Sequence, residues 1–196
     1  MTELQKREFV IFDVETTGLS PAWGDRVVEV AALKIKDLKP VDKFYSLVNP
    51  QRPISYAASA VNGITQDMVY DAPKAREVFP QLMEFVGASY LVGHNVRFDM
   101  GFLLNELALL EFRREGELIA IDTLKIAKQY ITGLASYSLL SVARHLNLAQ
   151  EQRHRAMADV ELTFELYKKL LAMAQGKDAH DVQTFTRRFG YCHITN

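Results

Sequence analysis

Five side chains stand where a protein core has no use for them: Asp13, Glu15, Asp99, His154 and Asp159. Asp13 and Glu15 follow Phe9-Val10-Ile11-Phe12, a run of β-branched and aromatic residues that reads as a buried strand. Side chains two apart on a strand share a face, so the two carboxylates stand side by side. Like charges placed there repel and resist desolvation, and a divalent cation with oxygen ligands is the simplest compensation. Asp99 lies between Phe98 and Phe102 in a helical pattern, and Asp159 sits beside Val160 in another. Four carboxylates suit two divalent ions, and oxygen-only ligation favours Mg²⁺ or Mn²⁺ over zinc. Two such ions roughly 4 Å apart clamp the attacking and leaving oxygens of an in-line phosphoryl displacement. His154 precedes Asp159 by five residues, about 140° around a helix, so the pair does not share a helix face. His154 is therefore expected in the loop before the helix, as an imidazole suited to take a proton from water near neutral pH.

The elements that must position these groups follow from periodicity. Arg26 to Ile35 and Phe44 to Val48 read as strands joined by turns, antiparallel to the first. A short helix is expected around Ser55 to Ala60, ending near Asn62-Gly63. Val78, Leu82, Phe85 and Val86 mark an amphipathic helix beginning near Pro73. Tyr90 to Gly93 reads as a central strand, and a helix from about Phe98 to Leu110 follows it. Leu118 to Ile121 is one more strand, with Asp122 capping the helix after it. Another helix, capped by Ser136 or Ser138, runs to about Leu146, and a last one spans roughly Ala156 to Ala174. This order predicts an α/β fold, a mixed sheet of five strands flanked by helices. Residues 1–175 are expected as one domain, and 176–196 as a tail or short appended element.

Apolar residues are 48% and charged residues 24% of the 196, which allows one well-buried core. The formal net charge of −1 argues against strong non-specific binding of duplex nucleic acid. It leaves room for an enzyme that grips a few nucleotides. No apolar run reaches the length of a membrane span. The polar start, Met1 to Glu8, lacks the apolar stretch of a secretory signal, and a single cysteine, Cys192, suits a reducing cytoplasm.

Three stretches together carry a resemblance. Asp13-Val14-Glu15-Thr16-Thr17-Gly18-Leu19, Gly93-His94-Asn95-Val96-Arg97-Phe98-Asp99 and His154-Arg155-Ala156-Met157-Ala158-Asp159 resemble the three motifs of the DEDDh (DnaQ-like) 3′–5′ exonucleases. These are relatives of the proofreading epsilon subunit of bacterial DNA polymerase III. The resemblance implies a ribonuclease H-like fold, with Asp13, Glu15, Asp99 and Asp159 as ligands of two Mg²⁺ or Mn²⁺ ions and His154 as general base. It implies that Thr16, Thr17 and Leu19 line the pocket of the terminal nucleotide, with Phe98 against a base or sugar. His94 and Asn95 join the substrate-binding set, His94 by positioning the site. Val61-Asn62-Gly63-Ile64-Thr65 resembles a family segment that often has histidine where Asn62 stands. Asn62 can donate a hydrogen bond to a phosphate but brings no positive charge. The implied substrate is a single-stranded DNA 3′ end, with a DNA polymerase as partner. The rival readings are an RNA-trimming exoribonuclease and a non-catalytic module that binds nucleic acid or a polymerase.

Overall fold

Strand β1 (Glu8–Thr16) is the hub of the computed structural model, which describes residues 7–148, 155–174 and 181–194, with side chains to 191. β1 pairs antiparallel with β2 (Val27–Lys36) on one side and parallel with β4 (Tyr90–Gly93) on the other. β3 (Lys39–Leu47) lies outside β2, and β5 (Glu117–Asp122) lies beside β4. The expected mixed sheet is present with one strand more than the five read from the sequence. Gly190–Ile194 forms β6, antiparallel to β5, and the strand order is β3-β2-β1-β4-β5-β6.

Residues of β1 alternate between two cores, as the pleat requires. Phe9 and Ile11 face helices α5 (Thr123–Tyr130), α7 (Ala156–Ala174) and α8 (Val182–Phe189), where Ile126, Phe164, Tyr167 and Phe185 are buried. Val10, Phe12 and Val14 face α3 (Ala75–Val86) and α4 (Arg97–Leu109), against Phe79, Leu82, Phe102 and Leu103. Asp13 and Glu15 continue the first series and so point to the side of α7. The remaining helices are α1 (Tyr56–Asn62), α2 (Gln66–Tyr70) and α6 (Leu139–His145). Ser55 caps α1 by accepting from the Ala58 N–H, and Asp122 caps α5 by accepting from the Leu124 N–H.

Two local features differ from the expectations. β3 begins at Lys39, because Asp37 and Leu38 both adopt positive φ and close a two-residue hairpin turn. Its first half is polar and exposed, as suits an outermost strand, so hydrophobicity alone marks only its end. The five-residue helix α2 was too short to show a period.

β1 runs on past β4. The two pair only from Phe9↔Tyr90 to Ile11↔Val92, after which β4 ends at Gly93. The chain turns sharply there; a Cβ on Gly93 would come within 2.7 Å of the Val96 side chain. The backbone of Val14 thus loses its strand partner on that side. This notch is where the acidic groups gather.

Candidate active site

Asp13, Glu15 and Asp159 offer carboxylate oxygens that all lie within 4.8 Å of one another. Asp159 comes from the first turn of α7, on the sheet face that Asp13 and Glu15 share. Asp99 comes from α4 on the opposite face. It reaches the same place through the notch, where its Oδ1 accepts from the Val14 N–H at 3.1 Å. Acids from both sides of the sheet therefore meet at one strand end.

Their electrostatics are those of a site short of positive charge. Burial pushes Asp13 well above the usual carboxylate range, and Asp99, Glu15 and Asp159 push it further. Glu15 is raised to about 7 by burial and by Asp159 and Glu29. Asp99 is raised to about 8, mainly by burial, although the hydrogen bond from Val14 opposes it. The donor set is oxygen only, crowded and partly desolvated, which fits hard divalent cations.

In the unfolded chain these acids titrate near 4. Their folded values are raised, so they favour folding fully at acid pH, and that contribution is lost as pH climbs through about 7 and 8. The melting temperature in EDTA is expected to fall between pH 5 and pH 8.5, and Mg²⁺ or Mn²⁺ is expected to restore it at pH 8.5. A flat profile in EDTA would contradict the electrostatics.

Glu29 is a member of this cluster that sequence reasoning missed. It sits on β2 directly opposite Glu15 and is fully buried. Burial alone would raise it, but hydrogen bonds from Arg155, the Ala156 N–H and Tyr45 outweigh that and hold it below its ordinary value. Arg155 Nε donates at 3.0 Å, the Ala156 N–H at 2.8 Å and the Tyr45 hydroxyl at 2.7 Å. The start of α7 is thereby fastened to the sheet, and Asp159 with it. Arg155→Met should leave a buried carboxylate without its cation, costing about 2–3 kcal/mol, the low end because Arg155 is 41% exposed. Thermal melting would check this, and Arg155→Lys should recover only part of the loss, since an ammonium cannot reproduce the fork. Unchanged melting in Arg155→Met would show that the pair contributes nothing to the fold.

Two hollows flank the acids. One, of about 360 Å³, is lined by Glu15, Thr16, Leu19, Asn62 and Phe98 among others. The other, of about 620 Å³, is lined by Asp13, Asp159, His94, Asn95 and Lys128 among others. Leu19 is 85% exposed at the mouth of the first, and Phe98 packs its ring 5.0 Å from that of Phe102.

Thr17 does not line either hollow. It is buried, its hydroxyl donates to Asp25 and accepts from the Arg26 N–H, and it holds the loop that carries Leu19. The same loop is drawn tight at Gly18, where a Cβ would collide with the Asp25 carboxylate, and Arg26 ties it to the buried Glu106 of α4. Asn62 also departs from the reading as a phosphate ligand. Its amide donates to the Thr16 carbonyl and to Glu15, and its oxygen accepts from the Ile64 N–H. It braces the end of β1 instead.

His94 has both ring nitrogens engaged. Nε2 donates to the Tyr137 carbonyl at 2.8 Å, and Nδ1 pairs with the Thr123 hydroxyl at 2.9 Å. Burial lowers its pKa, and the ring serves as a strut between β4, α5 and the Tyr137 loop. Asn95 adopts positive φ and its N–H donates to Asp122, which leaves its side chain exposed in the larger hollow. His154 lies outside the described residues.

A mixed sheet with acids converging from both faces onto the overhanging end of its central strand is the arrangement of a ribonuclease H-like nuclease. The RNase_T family, described as exonuclease, matches residues 10–167, and the chain belongs to that family. This membership supports the resemblance of its three acidic stretches to the DEDDh 3′–5′ exonucleases. The chain is 38% identical over 183 residues to the PolC-type DNA polymerase III of Clostridium perfringens. That match covers 93% of this chain and 12% of the polymerase, so the chain spans about an eighth of its relative's length. Among solved structures, exonuclease X in complex with 5′ overhanging duplex DNA is 29% identical, with a TM-score of 0.71 over 91% of this chain and 99% of that one. The nuclease domain of 3′hExo bound to rAMP shares the fold, at 18% identity and a TM-score of 0.72, over 85% of this chain and 92% of that one.

Proposed function

We propose that the protein removes nucleotides from the 3′ ends of single-stranded DNA, in proofreading or repair, and releases nucleoside 5′-monophosphates. The observation that carries this is the meeting of Asp13, Glu15 and Asp159, with Asp99 bound to the backbone beside them. These four acids would hold two divalent ions, Mg²⁺ or Mn²⁺. When bound, the ions supply an acidified water and charge to stabilise the departing 3′-oxygen. The protein's own part is to bind and orient. The hollow beside Glu15 takes the terminal nucleotide, with Leu19 and Phe98 against its base or sugar and Thr16 at its edge. Thr17, Asn62 and His94 hold the walls. His154 takes the proton of the attacking water.

The relationship to a polymerase supports DNA as substrate and a polymerase as partner. The single cysteine and this relationship support a cytoplasmic setting; no helix among the described residues is long and apolar enough to cross a membrane. The test is to compare digestion of matched DNA and RNA oligomers with Mg²⁺ or Mn²⁺. Faster loss of DNA supports the proposal. Faster loss of RNA would make it an exoribonuclease, and no loss of either would make it a binding module.

A further inference from the structure

The first hollow takes parts of its lining from elements far apart in the chain: Leu19 from the loop after β1, and Phe98 from the first turn of α4. The loop is stiff within itself. The Thr16 hydroxyl donates to the Gly18 carbonyl at 2.6 Å, and the Ser20 N–H donates to Asp25 at 3.1 Å, so both neighbours of Leu19 are pinned. The neck of the loop is closed where the Thr17 N–H donates to the Arg26 carbonyl at 2.9 Å. On the α1 side it rests on Ser55, whose hydroxyl donates to the Thr17 carbonyl. Leu19 therefore moves with Arg26.

α4 is held just as firmly. Asp99 fixes its first turn to Val14, and Phe102, packed on Phe98, is buried. Further along the same helix stands Glu106, 1% exposed, which takes Arg26 in a fork. Nε donates to Oε1 at 2.8 Å and Nη2 to Oε2 at 2.6 Å, and the Val27 N–H also donates to Oε1, at 3.2 Å. One ion pair thus joins the body that carries Leu19 to the body that carries Phe98. A buried pair contributes little net stability over apolar packing. What it adds is geometry, because a bidentate guanidinium–carboxylate contact fixes a plane and a spacing.

We infer that Arg26 and Glu106 are positioning residues for the exonuclease reaction: their ion pair sets the spacing of Leu19 from Phe98, and with it the grip on the terminal base. Neither residue lines the hollow. The inference rests on the exonuclease reading above and names what holds its base-binding hollow to size.

The test uses the full chain, Mn²⁺ and two single-stranded DNA oligomers that differ only at the 3′ end, one ending in thymidine and the other in an abasic nucleotide. For wild-type protein, KM should be about tenfold higher for the abasic end, the usual worth of one stacked base. Glu106→Gln breaks the ion pair and keeps the shape; it should raise KM for the thymidine end about fivefold and bring the ratio of the two KM values down to about two. Arg26→Lys keeps the charge without the fork and should fall between. The double variant Arg26→Met, Glu106→Leu strands no buried charge, so it should fold and show the same lowered ratio. A role in stability alone would lower kcat for both ends alike, through a smaller folded fraction, and leave the ratio at its wild-type value; that result would overturn the inference. A wild-type enzyme indifferent to the missing base would also overturn it, because the hollow would then not hold the base. If wild-type protein digested neither oligomer, the exonuclease reading itself would fail, and this inference with it.

Discussion

The Asp159→Asn protein is expected to lose 3′-end digestion by roughly a thousandfold or more, yet to melt higher than the wild type in EDTA at pH 8. The loss follows because an amide would not replace an anionic ligand of a divalent cation, a difference of several kcal/mol in the transition state. The gain follows from the same charge. Asp159 raises both Asp13 and Glu15, so removing it relieves repulsion that the folded protein carries only above neutral pH. Each kcal/mol so relieved raises the melting temperature of a chain this size by roughly 2–4 °C. Asp13→Asn should behave likewise. Labelled-oligomer digestion and calorimetry with and without Mn²⁺ check both halves. Full activity in either variant would remove these acids from the site, whereas lower stability in EDTA would mean that the carboxylates are held by partners and not strained.

His154→Ala is expected to lower the rate by about a hundredfold to ten-thousandfold, the usual worth of a positioned general base. Metal-dependent stabilisation should be unaffected, because an imidazole acting on water is not a ligand. The wild-type rate should climb with pH through the imidazole range, near 6.5, and the variant should lack that limb. Loss of the Mn²⁺-dependent rise in melting temperature would instead make His154 a ligand. The fork from Arg155 to Glu29 fixes the start of α7 beside β2, whose Glu29 lies opposite Glu15.

The acids were legible because each broke a strong local pattern. Asp13 and Glu15 interrupt a buried strand, and Asp99 and Asp159 sit among apolar helix residues, so local sequence displayed the conflict that a metal would resolve. The last long helix was equally plain, since the period is sustained over the whole of Ala156–Ala174. Glu29 sits in Val27-Val28-Glu29-Val30-Ala31 and breaks its pattern just as visibly. Its meaning was hidden because its cation, Arg155, lies 126 residues away. The bracing bonds of Asn62 and Thr17 were not legible for a related reason. Their side chains are spent on backbone groups of β1 and the following loop, and such bonds depend on which strands end where. β6 was invisible because five residues pair only with a neighbour that the rest of the fold supplies.

That last strand bears on how the molecule can be cut or joined. β5 pairs with β4 over Ala120 to Asp122 on one side and with Gly190–Ile194 over Glu117 to Ile121 on the other. A fragment ending near residue 175 would bare one margin of β5 and uncover Phe185's share of the core. Such a row of unmet amides is a template for self-association. Any truncated or fused form meant to stay monodisperse should retain the polypeptide through Ile194.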